Sequence, residues 1–215
     1  MLPTDYGKAI AEQLLSRALD IDSTLLNAFV LEFWRGVQQE DLESRSLGQD
    51  AELTLNAWQA FAGFDIAEPV VELAPAEPGQ PSSVLRILHR DMPFITASVL
   101  LAIARADISL HYLHNVTLTF QRDAHGNPEQ INQSNGDASA VQISETLIYA
   151  ELKGVAAAQR EALLEDLQRT LSDVHAVVVD HQPMRRKAMQ MADKLAASPS
   201  SEASEAAAFM HWLCD

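Results

Sequence analysis

The sequence predicts an α+β fold, on three observations. Residues 5–63 carry apolar side chains at helical spacing. Residues 84–152 hold three segments of strand composition, separated by one helix and one long polar connection. Residues 154–196 then return to helical spacing. We therefore expect an antiparallel sheet with packed helices, preceded by a helical segment and followed by C-terminal helices.

The composition indicates a globular chain with a sizeable core. Its 215 residues are 47% hydrophobic, and 15 basic against 30 acidic residues give a net charge of −15. Such a charge repels phosphate backbones and anionic headgroups, which argues against nucleic-acid and membrane partners. The single cysteine, Cys214, cannot form an internal disulfide, which fits a cytoplasmic location. The sequence has neither a signal-peptide pattern nor an apolar membrane-spanning run.

Two helices are expected within the first part of the chain, residues 1–65. Asp22 and Ser23 precede one of them and can cap its free amides. A second helix covers about 50–62 and ends near Gly63. The aromatic stripe of these helices is typical of a core. The first helix carries its apolar residues at Leu25, Leu26, Phe29, Val30, Phe33, Trp34 and Val37.

The second part, residues 66–182, contains the sheet. Prolines in 66–83 exclude a long helix there and leave room for a short strand at 70–73. Strands are predicted at 84–90, 108–120 and 146–152, with a helix at 93–106. We expect 84–90 and 108–120 to lie at open edges, where strands are prone to self-association.

The strand at 108–120 alternates in polarity, and residues 123–141 read as a long solvated hairpin connection. One face of this strand is predicted to hold Leu110, Tyr112, Val116, Leu118 and Phe120.

The helix that follows residue 154 is predicted to reach about His181 and to break at Pro183. The valine-rich stretch 176–180 also fits a fourth strand, so both alternatives stay open. The third part, residues 183–215, is expected to form helices at 184–196 and 205–215.

The sequence lacks the usual catalytic motifs, so we expect neither a catalytic residue nor a metal site. No phosphate-binding loop, dinucleotide fingerprint, nucleophile elbow or zinc-protease motif occurs. His111 and His114 face opposite sides of a regular strand, and His114 is expected to be a hydrogen-bonded core residue. The basic run 185–187 is best explained as a solvated first turn of a helix.

The turn between the strand at 84–90 and the next helix is the main candidate site. Asp91 and Pro93 stand where a strand ends and a helix begins. Backbone amides at such a helix start suit the carboxylate of an amino acid. The same residues can also simply cap the helix, and capping is the simpler interpretation.

The order strand, helix, strand, strand, helix, with a D-x-P turn after the first strand, resembles the ACT domain, a ferredoxin-like module that commonly senses amino acids. Further segments resemble the N-terminal region of the large bacterial NAD-specific glutamate dehydrogenases. These segments are "FWRGVQQEDLESRS" (33–46), "NAWQAF" (56–61), "DMPFITASV" (91–99), "ETLIYAEL" (145–152), "DVHAVVVDHQPMRRK" (173–187) and "EAAAFMHWLCD" (205–215).

This resemblance implies an ACT-like domain of a homo-oligomeric enzyme that continues beyond Asp215 and deaminates glutamate with NAD. The cofactor belongs to the parent enzyme, and this chain is expected to hold none. In ACT domains that bind amino acids a glycine usually follows the proline, whereas here Phe94 does, and it is expected to fill the site. The strand at 70–73 is an alternative for the fourth strand at the sheet edge. The effector residues implied are Arg90, Asp91, Met92, Pro93, Phe94 and Thr96.

Three functions follow from these observations. The first is an assembly domain that docks onto other domains and subunits of the parent enzyme. The second is a sensor that binds a small effector at the turn 90–96. The third is a self-contained enzyme that uses Asp91 with His89 or His111, and no recognised motif supports it.

Overall fold

A computed structural model describes residues 3–17, 21–37, 45–65, 68–75, 82–131 and 143–214. These ranges contain six helices and five strands. The helices are α1 (Pro3–Leu15), α2 (Ser23–Phe33), α3 (Leu47–Ala62), α4 (Ile95–Arg105), α5 (Ala157–Ala196) and α6 (Ser201–Cys214). The strands are β1 (Val70–Ala74), β2 (Ser82–Arg90), β3 (Ser109–Arg122), β4 (Pro128–Ile131) and β5 (Ile143–Lys153).

The five strands form one antiparallel sheet in the order β1-β2-β5-β3-β4. Strand β5 lies at the centre and pairs along its length with β2 and β3, as in Ile87↔Ile148 and Val116↔Leu147. The α+β class and the ACT-like plan of strands and helices are thereby confirmed.

The sheet edges differ in part from the prediction. Strand β2 is paired with β5 on one side and with β1 on the other, so the expectation of an open edge at 84–90 is wrong. Strand β3 pairs with β5 on one side and with β4 on the other only at residues 120–122, so among the described residues the expected open edge of 108–120 is confirmed for 109–119. The alternative that 70–73 takes the sheet edge is confirmed, because β1 pairs with β2 from Val70↔Leu88 to Ala74↔Val84.

Helices cover both faces of the sheet and create two cores. Helices α1, α2 and α3 pack on one face, and α4 with the first half of α5 packs on the other. Since β5 lies between both layers, six consecutive residues from Glu145 to Ala150 are buried. The first core includes Ile10, Leu26, Phe29, Phe33, Trp34, Phe61, Phe120 and Leu147, and the second includes Leu85, Ile87, Val99, Ile103, Ile148, Leu152, Leu163 and Leu167.

The helix starts follow their capping residues. Asp22 accepts a hydrogen bond from the Leu25 amide at 2.8 Å, which confirms the predicted cap of α2. Ser46 and Gln49 form a reciprocal capping box at the start of α3, in which the Ser46 amide donates to Gln49 Oε1 at 2.9 Å. Local side chains therefore fix where both helices begin.

Helix α5 is continuous through Pro183, so the predicted break is wrong. The valine-rich stretch 176–180 is helical, which decides against a fourth strand there. A proline removes one helical hydrogen bond and crowds the preceding turn. The helix continues because strong helix formers follow the proline and α6 packs against this half of it. The proposed division of the chain at residue 182 falls inside this helix and stays a prediction.

Strand β3 contains a bulge that the alternating pattern concealed. Leu110 pairs with Leu152 and Tyr112 with Glu151, so His111 is the extra residue. The bulge places Leu110 on the opposite face from Tyr112, and the prediction that they share a face is wrong. In the predicted polar connection 123–141, residues 128–131 form β4, and residues 132–141 lie outside the described ranges.

Arg45 joins the helical layer to the sheet through a buried network. Its Nε donates to Asp50 Oδ1 at 2.6 Å, and its Nη1 donates to Glu151 Oε1 on β5. Tyr6 donates its hydroxyl to Asp50 Oδ2 at 2.6 Å. The guanidinium also lies 4.9 Å from the centre of the Tyr112 ring. Asp50 has no exposed surface, so its charge depends on these partners.

Arg122 makes the second buried connection. Its Nε and Nη2 donate to the two carboxylate oxygens of Glu145 at 2.8 and 2.6 Å. The Nη2 also donates to the Phe61 carbonyl oxygen at 2.7 Å, which ties the end of α3 to the sheet. Burial raises the pKa of Glu145, while the hydrogen bonds and charge of Arg122 counter that increase.

Replacing Arg45 should destabilise the fold far more than replacing an exposed arginine. The substitution Arg45→Ala leaves the Asp50 carboxylate buried without its cation, and we expect it to lower the free energy of unfolding by about 3–5 kcal/mol. The matched control is Arg17→Ala, which removes an exposed pair with Glu52 and should cost about 1 kcal/mol or less. Urea denaturation of both variants measures the difference, and equal losses would show that the network does not join the layers.

Candidate functional site

The six predicted effector residues lie in one turn between β2 and α4. Arg90 is the last residue of β2, and α4 begins at Ile95. The Asp91 amide donates to the Ser144 carbonyl oxygen on β5 at 2.8 Å. The chain therefore leaves the sheet beside the central strand and turns directly into the helix.

Asp91 holds the turn against β5. Thr146 Oγ1 donates to Asp91 Oδ1 at 2.8 Å and also lies 2.8 Å from the Thr117 hydroxyl on β3. Helix α4 has Phe94 at its N-cap position and no side-chain cap. The simpler interpretation, that the turn residues cap the helix, is therefore wrong for the Asp91 carboxylate, which accepts a hydrogen bond from Thr146 on β5.

Phe94 occupies a backbone conformation that favours glycine. Its φ is 73° and its ψ is −8°, in the left-handed region, which costs a residue with a side chain about 1–2 kcal/mol. The turn thus keeps the geometry that a glycine after Pro93 would adopt. The Phe94 side chain is 68% exposed, so it is not packed into the turn.

A groove of about 530 Å³ runs beside the turn between α4 and α5. Of the six predicted residues, Phe94 lines it, together with apolar residues such as Leu101 and Val177. Two arginines and two aspartates line the groove, and Asp166 Oδ2 lies 2.9 Å from Arg105 Nη2 while Asp166 Oδ1 lies 3.8 Å from Arg169 Nη1. The charges of the groove lining therefore balance, and the groove fits an apolar group better than a free anion.

The histidines are placed separately. His111 lies exposed in the β3 bulge, and His89 Nδ1 lies 2.7 Å from the Arg90 carbonyl oxygen.

Among the residues that the structure describes, no group of three or more histidine, cysteine, aspartate or glutamate side chains is placed to hold a metal ion. Within the same ranges, no helix combines the length and hydropathy that a membrane span requires.

His114 is a core residue, as the sequence predicted. Its ring centre lies 4.3 Å from that of Phe33 and 5.1 Å from that of Trp34. Burial lowers the pKa of His114 to about 4, while a hydrogen bond to the Phe33 backbone favours the charged form and the Arg45 charge opposes it. Its Nε2 has no hydrogen-bond partner among the residues that the structure describes. The imidazole is therefore neutral near neutral pH.

Sequence reasoning missed the buried ion pairs that Arg45 and Arg122 make with carboxylates. Arg45 and Glu151 are separated by 106 positions, and Arg122 and Glu145 by 23. The available signal was the presence of charged residues, Glu145 and Glu151, in the otherwise mostly apolar segment "ETLIYAEL" (145–152). A charged residue in a buried strand needs an oppositely charged or hydrogen-bonding partner, but the local sequence does not show which residue is that partner.

Comparisons with known proteins point to one family. The family model described as "Glutamate dehydrogenase, ACT1 domain" matches residues 29–171. The NAD-specific glutamate dehydrogenase of Pseudomonas aeruginosa is 28% identical over 217 residues, covering 96% of this chain and 13% of that protein. The NAD-specific glutamate dehydrogenase of Halomonas elongata is 30% identical over 221 residues, covering 97% of this chain and 14% of that protein. The chain thus spans about one seventh of the length of these relatives.

The buried His114 should make stability depend on pH. Because its folded pKa of about 4 lies below the ordinary value of 6.5, the unfolded chain binds a proton in this window and the folded chain does not. Stability should therefore fall as pH falls from 6.5 towards 4, by roughly 3 kcal/mol in total from this residue.

The measurement is urea denaturation across this pH range for the unmodified chain and for His114→Gln. Carboxylates contribute equally to the pH dependence of both proteins, so the difference between their free energies of unfolding isolates the contribution of His114. The matched control is His111→Gln at the exposed bulge. If the His114 variant kept the full pH dependence, a buried neutral imidazole would be ruled out.

Proposed function

Because the chain belongs to the ACT1-domain family of glutamate dehydrogenases, we propose that it is a non-catalytic regulatory and assembly domain of a large NAD-specific glutamate dehydrogenase. The observation that carries this proposal is the extent of the match. Nearly the whole chain aligns with 13–14% of each relative. A segment of this size is one domain of a much longer polypeptide.

The parent enzyme converts L-glutamate, NAD and water to 2-oxoglutarate, ammonium, NADH and a proton. In this proposal NAD binds elsewhere in the parent chain, and this domain holds no cofactor. Its partners are other domains and subunits of the same enzyme, which forms a homo-oligomer in the cytoplasm. The domain itself divides into a helical segment (1–65), an ACT-like unit (66–182) and C-terminal helices (183–215).

The carboxylates of the described residues that are bonded to partners inside the fold support an assembly role. The buried carboxylates Asp50 and Glu145 are both engaged by arginines that connect layers of the fold. Asp91 is engaged by Thr146. Charges committed in this way stabilise a rigid body, whereas an acid–base catalyst needs a group free to exchange protons with a substrate.

The test compares the parent enzyme with this chain alone. The full polypeptide should form NADH in the presence of L-glutamate and NAD, while this chain by itself should form none. Deletion of the segment from the parent should change the oligomeric state and lower activity, as measured by light scattering and NADH absorbance. Glutamate turnover by the purified chain, or an unchanged oligomer and activity after deletion, would contradict the assembly role.

The second candidate function is effector binding at the turn 90–96. The observation that favours it is the exposed, left-handed Phe94, since backbone strain of this kind is concentrated at functional sites. The first amides of α4 also have no side-chain cap, so they are open to a carboxylate.

Titration calorimetry distinguishes the two candidates. We expect no saturable heat with glutamate, aspartate, arginine or NAD if the turn serves assembly alone. Saturable binding that Asp91→Ala abolishes would establish the effector site instead. The matched control is Asp107→Ala, at the opposite end of α4, which should leave any binding unchanged.

A further inference from the structure

The C-terminal half of α5 and helix α6 form a two-helix hairpin that the two cores do not include. After Val174, Ala192 is the only buried residue in the described part of α5, and α6 packs against α5. The hairpin is held by its own contacts, in which Arg185 Nε donates to the Cys214 carbonyl oxygen at 2.5 Å and His211 Nε2 lies 3.5 Å from Asp193 Oδ1. Its remaining surface faces solvent.

Each helix of the hairpin exposes a stripe with the same spacing. On α5, Met184, Lys187, Met191 and Lys194 follow one another at intervals of three, four and three residues, and we call them the methionine stripe. All four residues are exposed, with Met184 at 67% and Met191 at 51%. Residues at this spacing share one face of a helix.

Helix α6 repeats the spacing with opposite charge. Glu202, Glu205, Phe209 and Trp212 are again separated by three, four and three residues, and we call them the aromatic stripe. Trp212 is 71% exposed and Phe209 is 59% exposed, and their ring centres lie 5.9 Å apart. Apolar residues with bordering charges at such intervals are typical of helices that pack side by side.

The exposed apolar area is large for a monomer. Phe209, Trp212, Leu213, Met184 and Met191 are each between 51% and 71% exposed. Large side chains have about 150–250 Å² of surface, so these five expose roughly 600 Å². A stable interface buries about 800 Å² on each partner. The apolar residues of the two stripes, together with the neighbouring Leu213, therefore approach the area that a specific contact requires.

The distribution of charge along the chain indicates which partner covers the hairpin. Residues 1–181 contain 11 basic and 26 acidic residues and carry the whole net charge of −15, whereas residues 182–215 contain four of each and are neutral. Two copies that met through their bodies would repel each other. At the hairpin this repulsion is weakest, and the lysines of one stripe complement the glutamates of the other.

We propose that a second copy of this chain covers the hairpin. The methionine stripe of each copy packs against the aromatic stripe of the other, so that the four helices form a closed two-fold bundle. This inference rests on the proposed assembly role and names its partner and surface. It is tested on this chain alone, so its failure leaves the deletion result for the parent enzyme intact.

Sedimentation equilibrium of the chain should show a monomer–dimer equilibrium. The double substitution Lys187→Glu and Lys194→Glu brings the two new glutamates of one copy against Glu202 and Glu205 of the other. Because these like charges repel, the dimer dissociation constant should rise by at least about tenfold. Adding Glu202→Lys and Glu205→Lys restores opposite charges and should return the dissociation constant close to its original value. Trp34 and Trp58 are buried, so a blue shift of tryptophan emission on association reports Trp212.

The matched control is Lys8→Glu with Lys153→Glu, which makes the same change in net charge at exposed positions outside the hairpin and should leave the dimer nearly unchanged. A second variant, Trp212→Ser, alters an outward side chain and should weaken the dimer without loss of helix content. A strictly monomeric chain, an open-ended oligomer, or a dimer that tolerates the lysine changes would each overturn the proposal.

Discussion

The structure depends on a central strand that is buried on both faces. Strand β5 pairs with β2 and β3 and lies between two helical layers, so nearly every side chain from residue 145 to 152 must find a partner inside the protein. Five of these eight residues are apolar and fill the two cores, and Thr146 donates a hydrogen bond to Asp91. The two glutamates, Glu145 and Glu151, impose a stricter requirement, since a buried carboxylate is costly unless it is paired and hydrogen-bonded.

Two arginines satisfy this requirement, and in doing so they fix the helical layer. Arg122 reaches from β3 to Glu145 and to the end of α3. Arg45, just before α3, reaches Glu151 and Asp50, and Tyr6 of α1 completes the same network. The first helices are therefore held to the sheet by specific charges as well as by aromatic packing. Because a hydrophobic contact alone tolerates sliding, these pairs give the helical layer one position on the sheet.

The same central strand shapes the candidate turn. Ser144 and Thr146 bind the backbone and the carboxylate of Asp91, so the turn is anchored before α4 begins. This anchoring explains how Phe94 is kept in a left-handed conformation that its side chain disfavours. The opposite end of the fold behaves differently, because the hairpin of α5 and α6 leaves the cores and exposes matched stripes. The anchored body and the exposed hairpin are the two features on which the proposed assembly role rests.

The sequence by itself determined the fold class, most elements and the family. Helical spacing predicted the apolar faces of α2, α3 and α4, and alternation predicted the strands. Asp22 indicated where α2 begins. These features could be predicted because each depends on residues only a few positions apart in the sequence. The tertiary structure alone decided what depends on distant partners. It continued α5 through Pro183, inserted the bulge at His111, covered the outer edge of β2 with β1, and joined Arg45 to a glutamate 106 positions away. The physical reason is that local patterns record which side chains avoid water, whereas only packing determines which partner a buried charge or a strand edge finds.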